Sequence, residues 1–152
     1  MKNPIDNQNQ TELEGQIKRF ETGFMTTFRK IGPELTEKAD TKLTGQQFFV
    51  LYFLFNKGVC KVTDLAEKMK VKPSASTVMI DRLVKNDYVH RRHDDKDRRV
   101  VLISLTQKGE QALQEMLVLR RQVIGRYLSE IDPMKLDIFL DVLEQIAAKK
   151  LE

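Results

Sequence analysis

The organisation of this chain is decided by Val62–Thr106, which reads VTDLAEKMKVKPSASTVMIDRLVKNDYVHRRHDDKDRRVVLISLT. The pattern predicts a short amphipathic helix over Thr63–Met69 and a tight turn. A second helix is expected to begin at Lys72-Pro73-Ser74, where the missing proline N–H costs nothing, and to run to about Asn86. Two strand-like runs follow, Tyr88–His93 and Val100–Leu105, with a charged turn between them.

The second helix of this segment has one apolar face and one face whose small side chains would allow another molecule to come close to the backbone. At 100° per residue its large apolar residues fall together, and the opposite face holds Ser74, Ala75, Val78, Asp81, Arg82 and Lys85. Small side chains at the start of this outer face would allow the helix to enter the major groove of DNA. The order of elements is that of a winged helix-turn-helix.

A sequence signature lies at the hairpin tip and just beyond it. Asp97-Arg98-Arg99 is followed, five residues later, by Leu105-Thr106 and then by Lys108-Gly109. This pattern resembles the D-x-R…L-T-x-x-G signature of MarR-type transcriptional regulators, and Asp81–Asn86 resembles the end of that family's recognition helix. One departure is Asp87, where the family usually has glycine, although aspartate can also adopt the left-handed conformation. The resemblance covers about residues 12–147.

Apolar residues recur every three or four positions towards both ends of the chain. A first helix is expected from Thr11, with a kink or break near Gly32-Pro33. Thr106 should cap a long helix, and Asp132-Pro133 should begin the last one. Because each of these helices has an apolar face that needs a partner, and a second copy is the simplest partner, the pattern predicts a homodimer.

Together these observations predict a mainly α fold with a minor β component. It consists of a winged helix-turn-helix lobe and of N- and C-terminal helices that form a dimerisation bundle. We expect residues 1–10 to be disordered and residues 11–152 to form a single domain. Within it, residues 44–106 are the DNA-binding lobe, and residues 11–43 and 107–152 are the dimerisation helices.

A third feature is an aromatic helix before the quoted segment, expected from Gly45 to about Asn56 with Thr44 as its cap. Its aromatic side chains are Phe48, Phe49, Tyr52, Phe53 and Phe55. They could be core residues between the lobe and the bundle, or they could line a pocket. Combined with the family resemblance, the second interpretation predicts a small aromatic or apolar effector bound near Phe24, Phe28, Phe48 and Tyr52.

Composition and charge agree with a DNA-binding protein of the cytoplasm. The chain has 152 residues, 41% hydrophobic and 32% charged, and it contains no apolar run of the ~18 residues that span a bilayer. Its polar N-terminus is no signal peptide, and its single cysteine suits a reducing compartment. Residues 61–100 hold eleven basic and seven acidic residues, whereas the rest holds fifteen of each, so the whole net charge of +4 lies in the lobe.

The expected DNA contacts are Lys72, Pro73, Ser74, Ala75, Val78, Arg82, Asp97, Arg98 and Arg99. Ser74 can bond a base edge or a phosphate, while Ala75 and Val78 are suited to thymine methyl groups, which predicts an A·T-rich, pseudo-palindromic operator. The alternative for Val78 is partial burial against the preceding helix. Lys72 and Arg82 are expected at phosphates.

The wing residues are interpreted through the resemblance. Arg99 resembles the family arginine that enters the minor groove. Asp97 would orient a wing arginine or cap the turn, and these two roles are compatible. Arg98 and three further basic residues, Arg91, Arg92 and Lys96, are either phosphate contacts or ordinary solvated charges.

Other chemistries find little support in the sequence. His90 and His93 are three apart on a strand and point to opposite faces, so they cannot share a metal ion. The acidic run Asp94–Asp97 lacks the glycine and glutamate of a calcium loop. No catalytic constellation, metal site or cofactor is expected. Cys60 is interpreted as an inert buried residue, although some MarR relatives sense peroxide through cysteine.

These features predict a sequence-specific regulator of transcription that binds double-stranded DNA. It is expected to be a repressor that a small-molecule or stress signal releases. The alternative is a winged helix that serves as a protein-interaction module and has only non-specific DNA affinity.

Overall fold

The structure, a computed structural model, describes residues 4–37 and 43–149, with side chains for residues 10–35 and 43–149. In this part of the chain the elements are α1 (Pro4–Glu37), α2 (Gly45–Lys57), β1 (Cys60–Lys61), α3 (Val62–Met69), α4 (Pro73–Lys85), β2 (Val89–His93), β3 (Val101–Leu105), α5 (Gln107–Leu128) and α6 (Pro133–Ala148). The mainly helical winged helix-turn-helix fold is confirmed.

Local chemistry sets the ends of α2 and α6 close to where the sequence placed them. Thr44 forms a capping box with Gln47, in which each side-chain oxygen accepts a hydrogen bond from the other residue's backbone N–H (3.2 and 3.0 Å). Gly58 ends α2 at φ 74°, a conformation that costs glycine little. Asp132 caps α6, whose first residue is Pro133. These ends are fixed by residues within one turn of them.

A small antiparallel sheet forms the wing. Its strand order is β1-β3-β2, with Cys60 opposite Ile103 and Val89 opposite Leu105. The short Cys60–Lys61 strand therefore lies beside the hairpin. Ile103 of the central strand is buried and ties the sheet to the helices.

The core is aliphatic and lies among α2–α5 and the sheet. Its most buried large side chains are Leu51, Leu54, Leu65, Ile80, Leu83, Ile103 and Leu113. They come from α2, α3, α4 and β3 of the lobe and from the first half of α5. Burial of such side chains stabilises a lobe by about 1.5–3 kcal/mol each. The lobe therefore has a closed core within one chain.

Two expectations about α1 are wrong. The helix begins at Pro4, so residues 4–10 are helical rather than disordered, while residues 1–3 lie outside the described part. Proline suits the first helical position, and glutamine-rich sequence sustains a helix. The helix also continues unbroken through Pro33 to Glu37. A proline this close to a helix end removes one donor while the flanking turns remain intact.

The terminal helices have little cover from their own chain. α1 packs against α5 near its C-terminal end, where Glu34 accepts hydrogen bonds from Arg126 and Tyr127. Residues 10–30 of α1 are all exposed, and no residue of α6 is buried. Within the described part of the chain, no helix is long and apolar enough to cross a membrane.

Candidate nucleic-acid interface

Two side-chain hydroxyl groups stabilise the first turn of α4 by donating hydrogen bonds to its backbone. Ser76 and Thr77 both donate to the carbonyl of Pro73 (2.8 and 2.9 Å). Ser76 is fully buried, a position that the sequence pattern did not reveal. Its hydroxyl could have been anticipated, since serine in a first turn commonly bonds a carbonyl three or four residues back. These bonds fix the helix start beside Lys72, the N-cap.

The outer face of α4 is exposed along its length. All six residues assigned to it are exposed: Ser74, Ala75, Val78, Asp81, Arg82 and Lys85. Val78 is 52% exposed, which favours its outward interpretation over burial against α3. On the inner face Ile80 and Leu83 are buried and Met79 is partly buried. Val84, an apolar residue of the same helix, is 37% exposed. A small, apolar first half is thus presented next to a basic second half.

The helix ends in a left-handed turn. Asp87 has φ 60°, so aspartate takes the conformation that the family usually gives to glycine. The backbone N–H of Tyr88 donates to the carbonyl of Leu83 (2.9 Å), which reverses the chain into β2. The departure at Asp87 therefore leaves the shape of the helix exit intact.

The wing tip is a hydrogen-bonded turn built on two carboxylates. Asp94 accepts from the backbone N–H groups of Lys96 and Asp97 (2.8 and 3.1 Å), and these bonds lower the pKa of its carboxyl group. Asp97 accepts from the backbone N–H of Arg99 (3.0 Å). Among the described ion pairs none joins Asp97 to a wing arginine. The geometry thus favours the turn-cap role of Asp97.

An ion pair connects the recognition helix to the wing. The Arg91 guanidinium of β2 donates to the Asp81 carboxylate of α4 at 2.7 Å. Arg92 pairs more loosely with Asp95, at 3.6 Å. The residues of the first pair are ten positions apart on different elements, so helical or strand periodicity could not reveal it. Arg91 and Arg92 are therefore partly neutralised, while Arg98 and Arg99 are exposed residues of the wing turn.

A basic groove of about 390 Å³ lies between the wing and the helices. Its lining includes Lys61, Arg91 and Arg99 together with the hydroxyl groups of Thr63 and Thr77. Cationic and hydroxyl groups of this kind can bind phosphate oxygens. The groove is lined by residues of both α4 and the wing, so it joins these two elements.

Comparison with known proteins identifies the family of this chain. The family model of the MarR family matches residues 43–101. The HTH-type transcriptional repressor MdtR of Bacillus subtilis is 45% identical over 103 residues, which are 67% of this chain and 66% of that protein. The crystal structure of YusO from Bacillus subtilis superposes with a TM-score of 0.75 at 34% identity, covering 90% of this chain and 98% of that one.

The chain belongs to the MarR family. A further match, the structure of a MepR-like protein complexed with pseudoligands, has a TM-score of 0.62 and 36% identity, with 87% and 92% of the two chains covered. This MarR-family protein is a DNA-binding transcriptional regulator with α4 as its recognition helix.

The MarR-family fold brings only part of the predicted effector site together. A cavity of about 850 Å³ lies beside α1, and Phe28 is among its lining residues, with Met25, Arg29, Leu35 and Arg120. Phe24, Phe48 and Tyr52 are not in its described lining. Phe24 stacks on Phe20 (5.9 Å between ring centroids). Phe48 stacks on Tyr52 (6.1 Å between ring centroids). The guanidinium carbon of Arg120 lies over the Phe48 ring, 4.7 Å from its centroid. Phe48 thus borders the cavity through Arg120.

The core interpretation of the aromatic residues of α2 holds for only two of the five: Phe48 and Phe53 are half-buried and pack against the core. Val50, Leu51 and Leu54 are buried, whereas Phe49, Tyr52 and Phe55 are exposed. Aliphatic side chains fill the tightest space of the core, and three of the larger rings are left on the outer faces. The two cationic residues of the cavity, Arg29 and Arg120, were missed because they belong to different helices.

Cys60 occupies the core rather than the surface. It is buried opposite Ile103, and burial raises the pKa of its thiol, with the nearby carboxylate of Asp64 adding to the effect. A thiol that stays protonated is a poor nucleophile, which agrees with the inert interpretation. Within the described residues no cluster of histidine, cysteine and carboxylate groups could hold a metal ion.

Proposed function

We propose that this regulator is a homodimeric, sequence-specific repressor that acts in the cytoplasm and has no catalytic step. It binds a pseudo-palindromic, A·T-rich operator in double-stranded DNA. The observation that carries the proposal is the exposed first half of α4, which presents Ser74, Ala75 and Val78 within a basic surface. The name of the relative MdtR as a transcriptional repressor supports the direction of regulation.

Base reading is assigned to the small residues of α4. The methyl groups of Ala75 and Val78 offer apolar contact to thymine, and the Ser74 hydroxyl can bond a base edge. Val78 is half-exposed on this face, and DNA would bury it. Pro73 at the helix start keeps the backbone close to the groove floor. Recognition of A·T-rich half-sites follows.

Phosphate contacts position this helix. Lys72 lies at the N-terminus of α4 and Arg82 about three turns later, so that both flank the reading residues. Arg98 and Arg99 are exposed in the wing turn, and Arg99 would enter the adjacent minor groove. Asp97 holds the backbone N–H of Arg99 and thereby shapes the tip. Phosphate contacts add affinity without sequence information.

Dimerisation is assigned to the terminal helices. Exposed apolar residues along them include Leu13, Ile17, Phe20, Phe24, Phe139, Leu140, Leu143 and Ile146. Exposed apolar residues in this number are unfavourable in water and are typical of an obligate interface. A second copy offers the same surface and closes it by a twofold axis. The two α4 helices then read half-sites about one helical turn apart.

A small effector is proposed for the cavity beside α1. Its lining is largely apolar, with Arg29 and Arg120 as cationic groups, which suits an apolar or aromatic molecule carrying an anionic group. The MepR-like relative was crystallised with pseudoligands. An effector that binds the free and DNA-bound conformations differently by about 1–3 kcal/mol would change DNA affinity accordingly.

The test begins with selection of genomic fragments that the purified protein retains, followed by anisotropy titration on the enriched motif. We expect binding ~10³-fold or more tighter than to scrambled DNA, with a steep salt dependence. Val78→Ala should lower this ratio by roughly tenfold, whereas the equally exposed Val59 offers a matched control, Val59→Ala. Arg99→Ala should weaken binding to both DNAs.

An absence of any enriched motif, with equal weak binding to all DNA, would favour the protein-interaction module instead. A Val78→Ala protein that keeps its sequence preference would remove the methyl-contact assignment alone. For the effector, calorimetric titration with aromatic acids such as salicylate is the corresponding measurement. No heat and no change in DNA affinity across a broad panel would remove the cavity assignment.

A further inference from the structure

We infer that Thr106, Lys108 and Gly109 are positioning residues that lock the exit of the recognition helix onto α5, and that this lock sets which half-site spacing the dimer accepts. The inference rests on the proposed function, since spacing has meaning only for two lobes on one operator. The lock is defined as these three residues together with the Asn86–Tyr88 turn that they contact.

Thr106 connects the two elements through three hydrogen bonds. Its hydroxyl donates to the carbonyl of Asp87 (2.7 Å) and accepts from the backbone N–H of Gly109 (2.9 Å). Its own backbone N–H donates to the carbonyl of Tyr88 (3.1 Å). The residue is 5% exposed, so water cannot replace these bonds cheaply. One side chain thus caps α5 and holds the end of α4.

Gly109 allows the helix backbone to touch the turn. A Cβ atom at this position would lie 2.0 Å from the carbonyl oxygen of Tyr88 and 2.9 Å from its carbonyl carbon. These neighbours are backbone atoms, which cannot move aside as a flexible side chain would. The distance between α5 and the turn is therefore set by the absence of a side chain.

Lys108 contacts the Asn86–Tyr88 turn from its solvent-exposed side. Its ammonium group donates to the carbonyl of Asn86 (2.9 Å) and lies 5.2 Å from the centroid of the Tyr88 ring. The first contact satisfies a carbonyl at the end of α4, and the second is a cation–π interaction. Both contacts disappear if α5 rotates relative to the turn.

The lock is placed where it would transmit orientation. α4 ends at Lys85, directly before the turn, and α5 begins at Gln107, directly after Thr106. α5 also packs against α1 and α2 and contributes Arg120 to the cavity. The recognition helix is thus fixed to the helix that links the lobe with the dimer surface. A rigid connection makes the separation of two recognition helices a fixed property of the dimer.

The experiment measures affinity for a series of operators in which the selected half-sites are kept and the spacer is changed by about one or two base pairs. Wild type, Thr106→Val, Thr106→Ser and Lys108→Met are compared, with Lys135→Met on α6 as a control lysine. We expect wild type to prefer the natural spacing by roughly tenfold or more. Thr106→Val and Lys108→Met should reduce that ratio severalfold.

Three further readouts separate positioning from a merely structural role. Half-site preference should stay unchanged in Lys108→Met, whose replaced side chain is exposed and whose fold circular dichroism can verify. Thr106→Ser keeps the hydroxyl and should restore the spacing ratio. An equal loss of affinity at every spacing in both variants would overturn the inference. A wild-type protein without half-site preference would instead overturn the proposed function.

Discussion

The lobe and the terminal helices use the same kind of amphipathic sequence with opposite results. In the lobe, apolar residues such as Leu51, Leu65 and Leu83 are completely buried within one chain. In α6, Leu140 and Leu143 recur at the same helical spacing and remain 39% and 42% exposed. The difference is that the lobe has elements on all sides of its core, whereas the terminal helices pack on α5 at most.

This contrast shows that periodicity identifies a face that needs cover without identifying what covers it. Inside the lobe the cover comes from neighbouring elements, so stability there is a property of the single chain. At the termini we propose that a second copy provides it, so stability depends on protein concentration.

Truncation of one leucine in each region would break the comparison if both behaved alike. Leu51→Ala should lower the free energy of unfolding by about 2–5 kcal/mol at every protein concentration, because the cavity lies in a closed core. Leu143→Ala, the same chemical change on α6, should instead raise the dissociation constant of the dimer and leave the stability of the folded monomer nearly unchanged. Denaturant titrations at several protein concentrations, followed by circular dichroism, together with sedimentation analysis of the dimer provide the measurement. A dissociation constant that Leu51→Ala raises more than Leu143→Ala does would contradict the contrast.

Removal of the ion pair between α4 and β2 would sharpen the comparison within the lobe itself. Both side chains are more than a third exposed, so Asp81→Asn should change stability by less than about 1 kcal/mol. It should nevertheless free Arg91 for phosphate and raise affinity for scrambled DNA by roughly threefold at low salt. Asp137→Asn, which removes the same charge on α6, is the control. Unchanged affinity in anisotropy titrations would mean that Arg91 does not reach DNA.

The smallest expected effect concerns the wing turn and its dependence on pH. Backbone hydrogen bonds hold the pKa of Asp94 below its ordinary value, so the carboxylate stabilises the folded turn above that value. The contribution should be lost as the pH falls through the lowered folded-state pKa. Thermal unfolding of wild type and Asp94→Ala should therefore converge at acidic pH. Asp95→Ala, in the same turn, serves as the control, and a constant difference at all pH values would refute the assignment.

The features predicted well from sequence were those that depend on neighbouring residues. Thr44, Thr106 and Asp132 cap helices through their own side chains, and Asp87 adopts the left-handed turn. Periodicity placed the outer face of α4 correctly for the same reason. The family and the fold followed from these local signals and from the wing signature.

The features that sequence could not provide depend on tertiary geometry. The Asp81–Arg91 pair and the cavity joining Arg29 with Arg120 bring together distant elements. Three of the five aromatic rings of α2 lie outside the core, because hydrophobicity does not tell which side chains fit the available space. The effect of Pro33 was overestimated, since the cost of one lost hydrogen bond depends on the stability of its surroundings.

The central claim is that two lobes, joined through their terminal helices, read one operator, and native mass spectrometry of the protein on the selected duplex tests it most directly. Two chains are expected on each full site, and a protein with Phe20→Asp and Leu143→Asp should be a folded monomer with strongly reduced affinity. A single wild-type chain bound to the full site, with affinity unchanged by the double substitution, would contradict the account.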